Sequence, residues 1–586
     1  MSDKELKLGD LITLDIEDVN NLGCGVARHG SLVVFVKGGV SGDKVSATVI
    51  KITKSFAVAK LEKIISPSPY REDADSACSE KLSCGGCVFR GIKYSHELEK
   101  KREYVRSAFT KAGIPDAEIL DVVSTDKVYR YRNKAQYPVS KTKAGVCAGF
   151  YAAKTHNVIP INDCKIQNEA FAPVVDFVCK FADRNGISVY DEKSGKGLLR
   201  HVYLRSADVT GELMLCLVIS GDKMPCEDDF VSEVKERFPQ IVSIMINKNT
   251  ENTNVVLGEK YRCIYGKPYI EDVLCGLRFK IAPEAFYQVN RDGAELLYSK
   301  AAELAECGGE DIIDLYCGTG TIGLSMANKA SRLLGIDIVE KSIECARENA
   351  AANNVENAFF VATDAGKSEN IRKAAEKHGF SLSASTVIMD PPRKGSTPEL
   401  LGFLAAEKVK KIVYISCNPD TLARDAATLL SLGYKMSAVT PVNMFPRTGH
   451  VESVVCLSRK TTHEMKLYAS PFEMIQSGAK NIELRLYDEK RQKIKAGDDI
   501  IFTNTDTCEK ICATVKKLHL FASFEELYKT LPLLQCGYTV DDVGTAHPSD
   551  MEQYYSAEEQ RKYGVVGIEL FPPKQITDES VVSFTI

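Results

Sequence analysis

The feature that most constrains the fold is a regular alternation of short apolar segments with longer amphipathic ones between residues 284 and 460. The apolar segments read DIIDLY, RLLGIDI, AFFVAT, TVIMD, KIVYIS and ESVVCLS. Strands that alternate with helices in this way form a parallel sheet with helices on both of its faces. We therefore predict a Rossmann-like α/β domain over residues 284–460.

Three other regions carry different patterns, so the chain is predicted to be multidomain. Residues 1–66 alternate apolar and polar residues between Gly-rich turns, which predicts a small OB-like β-barrel. Residues 67–283 mix helical and strand patterns and are predicted to form an α+β central domain. Residues 464–586 read as a separate α+β domain. A chain of 586 residues can supply each of these domains with its own core.

Composition limits the class of protein. Hydrophobic residues make up 44% and charged residues 26% of the chain, which is typical of a folded globular protein. The net charge of −4 means that a polyanionic partner would need a local basic patch. We find no run of about 18 apolar residues and no apolar core in the first ten residues, so we expect neither a membrane span nor export. Nineteen cysteines then indicate a reducing, cytoplasmic location.

The segment DLYCGTGTIG, residues 314–323, follows a predicted strand and opens a helix. Its glycines would let the backbone approach a nucleotide-type ligand at the carboxyl edge of the sheet. The same letters satisfy a dinucleotide fingerprint, and Asp337 lies 17 residues past Gly320, so a nicotinamide-dependent oxidoreductase is an alternative. Asp314 would repel a pyrophosphate but attract a cation such as the sulfonium of S-adenosylmethionine, which favours the methyl donor.

Two further acidic residues follow the next strands. Asp364 comes after the third strand and Asp390 after the fourth, at the edge where open α/β sheets bind ligands. The stretch Asp390-Pro391-Pro392-Arg393 resembles the loop with which adenine-amino methyltransferases hold their target. Because Arg393 replaces the aromatic residue of that loop, an exocyclic amine is a poorer target.

A candidate nucleophile stands at the end of the strand KIVYIS. Cys417, in Ser416-Cys417-Asn418-Pro419, would face the same edge as the glycine loop. A cysteine at a strand end is often only a small buried hydrophobe. The downstream segment MFPRTGHVE, which ends in Glu452, favours the catalytic interpretation.

The stretches DLYCGTG, DPPRKG, YISCNP and MFPRTGHVE, together and in this order, resemble the RNA uracil-5-methyltransferase family. The resemblance extends to FYQVN at 286–290 and YRNK at 131–134, and the amino-terminal barrel resembles a TRAM domain; about the first 460 residues are covered. It implies a class I methyltransferase domain with Cys417 as nucleophile and Glu452 as general base. It also implies six residues that contact S-adenosylmethionine: Gln288, Tyr316, Thr321, Asp337, Asp364 and Asp390.

This chemistry suits the residues. Carbon 5 of uracil is too weakly nucleophilic to take a methyl group, but a thiolate that adds to carbon 6 creates an enolate that can. The proton on carbon 5 must then be removed before the thiol leaves, which requires a carboxylate within reach.

A cysteine cluster follows the linker after the barrel. Five residues separate Cys78 from Cys84 and two separate Cys84 from Cys87, and Cys164 could supply a fourth ligand. Four thiolates suit an iron-sulfur cluster or zinc, and the spacing does not decide between them. The resemblance to the branch that acts on ribosomal RNA implies a 4Fe-4S cluster, which we interpret as structural or RNA-contacting.

Two regions are candidates for RNA contact. Residues 88–145 carry 13 Lys plus Arg against 7 Asp plus Glu, with Tyr129, Tyr131 and Tyr137 interleaved for stacking on unpaired bases. The stretch GAKNIELR at 478–485 resembles an ASCH domain, which is related to PUA RNA-binding modules. Its Lys480, Glu483 and Arg485 would line a cleft or form a structural ion network.

We therefore predict a monomeric, cytoplasmic, S-adenosylmethionine-dependent enzyme that methylates carbon 5 of a uridine in 23S rRNA, with tRNA as the alternative substrate. The target base must be unpaired or flipped out. Two other classes stay open on the sequence: the nicotinamide-dependent oxidoreductase and an RNA-binding module without catalytic activity.

Overall fold

The alternating segments between residues 284 and 460 build a largely parallel sheet with helices on its faces. The computed structural model describes residues 6–72, 84–152 and 155–575. These residues form two compact units, one from the described part of 1–429 with 437–457 and the other from 430–436 with the described part of 458–586. Within the described residues, no helix combines the length and the apolar character that a membrane span requires.

The amino-terminal strands form one curved sheet. Its order is β1-β5-β6-β4-β3-β2, and the two edge strands are separated in the chain by only residues 16 and 17, which brings the edges of the sheet together. Alternate side chains point inward, and Leu14, Val34 and Val45 are among those that form the core. The strands are β1 Leu11–Asp15, β2 Asp18–Val19, β3 Cys24–His29, β4 Leu32–Lys37, β5 Lys44–Ile52 and β6 Phe56–Ser66.

The central region is built on a seven-stranded sheet with the order β13-β12-β11-β10-β7-β8-β9. Strands β10 and β11 are buried along their whole length and pack against α2 and α3. The strands are β7 Lys134–Thr142, β8 Gly145–Tyr151, β9 Val158–Pro160, β10 Leu199–Ser206, β11 Leu213–Ile219, β12 Ile241–Lys248 and β13 Lys260–Gly266; the helices are α1 Tyr94–Lys111, α2 Phe171–Arg184 and α3 Glu227–Arg237. A hairpin of β14 Ile270–Leu274 and β15 Leu277–Ile281 follows.

The α/β sheet has the order β18-β17-β16-β19-β20-β23, and β22 pairs with β23. Its first five strands run parallel, so the loops that follow them meet at one edge. The strands are β16 Ile312–Leu315, β17 Leu333–Asp337, β18 Ala358–Ala362, β19 Thr386–Met389, β20 Lys411–Ser416, β22 Thr440–Val442 and β23 Glu452–Arg459. The helices are α4 Arg291–Ala305, α5 Thr321–Met326, α6 Glu340–Ala352, α7 Ser368–Lys377, α8 Pro398–Ala406 and α9 Pro419–Ser431.

The second unit contains a sheet with the order β24-β26-β27-β28-β25, and β29 pairs with β27. Apolar residues of α10 and of the long strand β27, Phe472, Ile475 and Ile511 among them, fill its main core. The strands are β21 Tyr434–Met436, β24 Thr462–Leu467, β25 Ile482–Leu486, β26 Asp499–Asn504, β27 Lys510–Phe521, β28 Val565–Leu570 and β29 Lys574–Gln575; the helices are α10 Ala469–Ser477, α11 Phe524–Thr530 and α12 Ala557–Tyr563.

Candidate active site

The glycine loop after β16 is a tight turn between strand and helix. Tyr316, Gly318 and Gly320 all have positive φ angles, of 65°, 54° and 80°, a conformation that is strained for a tyrosine and easy for glycine. A Cβ atom at Gly323 would lie 2.8 Å from Asp314 Oδ2 and 2.8 Å from Leu333 Cδ1. Glycine at this position therefore lets α5 pack closely on the sheet.

Asp337, at the end of β17, fixes the position of this loop. Its Oδ2 accepts a hydrogen bond from the Gly318 N–H at 3.0 Å, and its Oδ1 accepts one from the Val339 N–H at 2.9 Å. On the next strand, the backbone N–H of Thr363 donates to the Asp337 carbonyl, and Asp364 follows directly. The carboxyl edge thus presents two acidic side chains beside the glycine loop, where sequence analysis placed them.

Asp314 lies beneath the same loop and is fully buried. Its Oδ2 accepts a hydrogen bond from the Gly323 N–H at 2.9 Å, whereas its Oδ1 has no hydrogen-bond partner among the described residues. Burial raises the pKa of Asp314 to about 8, and the charges of Asp390 and Asp337 add to the shift. A cationic ligand would relieve this repulsion, while a pyrophosphate would increase it.

Thr321 and Gln288, two more residues predicted to contact S-adenosylmethionine, lie next to α4. The hydroxyl groups of Thr321 and Tyr298 are 3.0 Å apart in a buried environment, and Tyr298 also hydrogen bonds to the Gln288 side chain. The Gln288 carbonyl accepts a hydrogen bond from Asn133 Nδ2 at 2.9 Å. Acidic residues, an aromatic residue and hydroxyl groups therefore surround the glycine loop, and this set suits the amino, sulfonium and ribose groups of S-adenosylmethionine.

Cys417 and Glu452 come together at this edge from two different strands. Cys417 follows β20 and is half-buried, and Glu452 begins β23 and is 6% exposed. Burial raises the pKa of the Cys417 thiol, and the charges of Glu452 and Asp390 raise it further. Burial likewise raises the pKa of Glu452, and Asp390 adds to that shift. The three acidic groups are thus close enough for each ionisation to affect the others.

Arg393 provides the positive charge of this cluster. Its charge opposes the rise in the pKa of Cys417 and of Glu452, and it adds to the burial that lowers the pKa of His450. Its carbonyl accepts a hydrogen bond from Asn418 Nδ2 at 3.0 Å, which joins the loop after β19 to the loop that carries Cys417. In the motif, Arg393 is recognisable only as the replacement of an aromatic residue, because its proximity to Cys417 arises from the fold.

The tyrosines of the basic segment are placed differently from the prediction. Tyr131 is 1% exposed and its hydroxyl donates to the Pro446 carbonyl at 2.9 Å, and Tyr137 is 3% exposed. The prediction that these two rings stack on RNA bases is wrong, because both are packed inside the fold. Tyr129 is half-buried, and the centroid of its ring lies 5.2 Å from Cζ of Arg447.

The predicted cysteine cluster is only partly described. Cys78 lies outside the described residues, and Cys84, Cys87 and Cys164 are half-buried. Burial raises the pKa of Tyr129, Tyr131 and Tyr137. Nearby thiols add to this rise, Cys87 at Tyr129 and Tyr131 and Cys164 at Tyr137. Within residues 6–72, 84–152 and 155–575, no three His, Cys, Asp or Glu side chains are grouped to hold a metal ion. These residues alone do not show that the site fits a cluster, which stays a prediction.

In the second unit, Lys480, Glu483 and Arg485 form a buried ion network. Glu483 lies 2.9 Å from Lys480 Nζ and 2.8 Å from Arg485 Nε, and its side chain is 5% exposed. The Arg485 guanidinium also donates to the Tyr555 hydroxyl at 3.3 Å. Mutual pairing of this kind supports the structural alternative for these three residues over an open cleft.

Comparisons with known proteins cover nearly the whole chain. The profile described as tRNA (Uracil-5-)-methyltransferase matches residues 93–460, the TRAM domain matches residues 5–61 and the ASCH domain matches residues 465–574. These matches confirm the predicted amino-terminal TRAM and carboxyl-terminal ASCH domains.

Relatives and a solved structure agree with the profile. An uncharacterized RNA methyltransferase of Clostridium tetani is 38% identical over 457 residues, which cover 78% of this chain and 98% of the relative. An uncharacterized RNA methyltransferase of Bacillus cereus is 39% identical over 452 residues, which cover 77% of this chain and 97% of the relative. The Pyrococcus abyssi tRNA (uracil-54, C5)-methyltransferase in complex with S-adenosyl-L-homocysteine has a TM-score of 0.62 at 29% identity, over 76% of this chain and 99% of that chain. This chain belongs to the tRNA (uracil-5-)-methyltransferase family.

Proposed function

We propose that this chain methylates carbon 5 of a uridine in RNA through a transient covalent bond between Cys417 and carbon 6 of the base. The observation that carries the proposal is the pairing of a half-buried thiol, Cys417, with a buried carboxyl group, Glu452, beside an acidic glycine loop. A nucleophile and a base on two separate strand ends can act on the two adjacent carbons of one ring.

The reaction balances with these groups. The Cys417 thiolate donates an electron pair to carbon 6, and the electrons of the 5,6 double bond shift to carbon 5 and the carbonyl oxygen. When bound, S-adenosylmethionine would supply the electrophilic methyl group that carbon 5 takes, with the electron pair of the broken S–CH3 bond left on sulfur in S-adenosylhomocysteine. Glu452 then accepts the proton of carbon 5, the double bond forms again, and Cys417 leaves as the thiolate.

The raised pKa of Cys417 means that the thiol is protonated before substrate binds. Arg393 is the charged group that counteracts this shift. Because thiolate is the reactive form, we propose that Arg393 increases the fraction of Cys417 that can attack the base.

For the RNA, we propose 23S rRNA, since the family branch that combines a TRAM domain with the cysteine pattern acts on it. The second candidate is tRNA, which is favoured by the similarity to the Pyrococcus abyssi tRNA (uracil-54, C5)-methyltransferase. Incubation of the full chain with unmodified transcripts of each RNA, followed by mass spectrometry of the nucleosides, distinguishes them. The proposal requires 5-methyluridine in at least one of the two, and its absence from both contradicts it.

The covalent step is tested with RNA that contains 5-fluorouridine, because fluorine on carbon 5 cannot be removed as a proton. We expect a stable protein–RNA adduct that depends on S-adenosylmethionine and is lost in Cys417→Ala. Cys226→Ala is the matched control, because Cys226 is exposed and directly precedes α3 in the central region. An adduct that persists in Cys417→Ala would mean that another thiol is the nucleophile.

The nicotinamide alternative makes a different prediction about binding. Calorimetry should show binding of S-adenosylmethionine and none of NAD, because a dinucleotide would place its pyrophosphate near the buried carboxyl of Asp314. Binding of NAD without binding of the methyl donor would overturn the proposal.

We further propose that Cys78, Cys84, Cys87 and Cys164 hold a 4Fe-4S cluster, as the family resemblance implies. The proximity of Cys87 and Cys164 to the segment 129–137 supports a shared neighbourhood. Protein purified without oxygen should contain iron and acid-labile sulfide, and Cys164→Ala should lose both while Cys226→Ala keeps them. Zinc without sulfide would refute the assignment.

A further inference from the structure

The segment that precedes the proposed base has little regular structure of its own. Residues 443–451, called here the base loop, connect β22 to Glu452, the first residue of β23. Five of its residues, Asn443, Met444, Arg447, Thr448 and Val451, are at most 7% exposed. A buried loop requires partners for its polar backbone groups from elsewhere in the fold.

Two of those partners are side chains of α1 in the central region: Lys101 bonds to the Phe445 carbonyl and Glu97 to the Arg447 N–H. Lys101 Nζ donates to Asn443 Oδ1 at 2.7 Å and to the Phe445 carbonyl at 3.1 Å. Its third contact is the Glu97 carboxylate at 2.8 Å. A lysine ammonium has three N–H donors, so all three are used, two of them on the base loop.

Glu97 makes the complementary contact. Its Oε1 accepts the backbone N–H of Arg447 at 2.9 Å as well as the Lys101 ammonium. Lys101 is 2% exposed and Glu97 is 0% exposed. An ion pair this deeply buried loses much of its Coulomb gain to desolvation, and an apolar pair of similar volume would often stabilise a fold equally well. What the charged pair adds is directionality, because its hydrogen bonds fix individual atoms of the loop.

The same helix reaches the segment after the proposed nucleophile. Tyr104 Oη donates to Asp420 Oδ2 at 2.7 Å, three residues beyond Cys417. Residues 97, 101 and 104 have the i, i+4, i+7 spacing of one helix face. One rigid surface therefore contacts both of the segments that carry the catalytic residues.

We infer that α1 sets the geometry of the proposed active site, and that Glu97 and Lys101 are positioning residues that act on Glu452 through the base loop. The inference rests on the proposed function and adds residues outside the α/β domain to it. Since Glu452 is needed only for proton removal, a displaced loop should impair the last step of the reaction more than the attack by Cys417.

The test separates these steps. Lys101→Met should still form the adduct with 5-fluorouridine RNA, within about threefold of the wild-type rate, because that adduct needs no proton removal. With ordinary uridine RNA, the methylated RNA should stay bound to Cys417, and its release should slow by about tenfold or more. Denaturing gels that resolve the protein–RNA adduct measure both rates in single turnovers.

Two further variants keep the test decisive. Glu97→Gln with Lys101→Met removes both charges of the pair, and the buried Arg447 keeps its ion pair with Glu72 at 2.9 Å. The double variant should therefore fold even where the single variant does not, and it should show the same slow release. Lys373→Met removes the lysine of an exposed i, i+4 pair with Glu369 in α7, outside the basic segment 88–145, and should release RNA at the wild-type rate.

The outcomes are distinguishable from failure of the proposed function. If wild-type protein forms no adduct with 5-fluorouridine RNA, the covalent mechanism itself is wrong. If wild type forms the adduct but both α1 variants release RNA at the wild-type rate, or lose adduct formation and release in equal proportion, the positioning role is overturned.

Discussion

The carboxyl groups of Glu452 and Asp390 lie close enough that the charge of one raises the pKa of the other. Burial also raises the pKa of both carboxyl groups. A carboxyl group with a raised pKa is protonated over part of the neutral range, whereas a base must be ionised to accept a proton. This relationship makes the release step of the proposed reaction dependent on pH.

Asp390→Asn should lower the pKa of Glu452, because it removes a neighbouring negative charge. Release of methylated RNA from a preformed adduct should rise with pH and reach half its maximum at lower pH in the variant than in wild type. Arg393 and Cys417 also face Glu452 and are unchanged in this variant. The measurement is the single-turnover release rate between pH 5.5 and 9 at saturating methyl donor; a profile identical to that of wild type would contradict the assignment of Glu452 as the base.

Arg393→Met should raise the pKa of Cys417, since Arg393 is the positive charge that lowers it. At pH 7 the rate of adduct formation with 5-fluorouridine RNA should fall by about threefold to tenfold, because one pKa unit changes the thiolate fraction tenfold. The loss should diminish as the pH rises. Lys394→Met, at the exposed neighbouring position, is the control for loss of positive charge; an equal loss at all pH values would point to RNA binding instead.

Asp314→Asn should weaken binding of S-adenosylmethionine by about tenfold, because the variant loses a buried negative charge beneath the glycine loop. S-adenosylhomocysteine lacks the sulfonium charge and should lose less affinity. In wild type the affinity for the donor should increase as the pH rises toward 8, because burial raises the pKa of Asp314 to about 8 and the cation favours the ionised form. Calorimetry with both ligands at several pH values tests this, and equal losses for both would show that charge is not the cause.

Gly449→Ala should disturb the base loop from its other side. A Cβ atom at Gly449 would lie 1.9 Å from the carbonyl oxygen of Asn21 in the amino-terminal sheet domain. We expect destabilisation by about 1–3 kcal/mol, as in other overpacked sites, together with slower release of RNA. Gly402→Ala is the control: its Cβ meets nothing within 4 Å in α8, and it should stabilise the protein by about 0.5–1 kcal/mol. Thermal unfolding and single-turnover release report the two effects.

Glu483→Gln should destabilise the carboxyl-terminal domain by about 3–5 kcal/mol, because it leaves the buried cations Lys480 and Arg485 without their anion. The effect should appear in thermal unfolding of the full chain, with methyl-donor binding retained. Glu525→Gln is the control, since the ion pair of Glu525 with Lys529 is exposed and its loss should cost about 1 kcal/mol or less. Unchanged stability in Glu483→Gln would show that the network contributes nothing to the fold.

The parts of the site that follow from local order were predictable from the sequence. Cys417 follows β20 and Asp337 ends β17 because apolar segments mark the strands, and parallel strands present their ends at one edge. Asp314 was recognised for the same reason as a charge at the strand end just before the glycines.

Other parts depend on contacts between distant residues, which no local pattern encodes. Glu97 and Lys101 have the i, i+4 spacing of a helical ion pair, and this spacing does not reveal that Lys101 bonds to Asn443 across 342 positions of the chain. Tyr131 and Tyr137 stand in a basic, polar stretch, and their burial depends on the Pro446 carbonyl and on α2. The sequence identifies the side-chain type of each of these residues, but their burial and partners are set by the tertiary fold.

The hydrogen bonds from Asn133 to the Gln288 carbonyl and from Lys101 to Asn443 have an evolutionary consequence. Residues outside the α/β domain hold part of the proposed active site in position. Fusion of the α/β domain alone to a new RNA-binding domain would therefore lose these contacts. Acquiring a different RNA target should instead proceed by adding modules at the chain ends, which leaves these internal bonds intact.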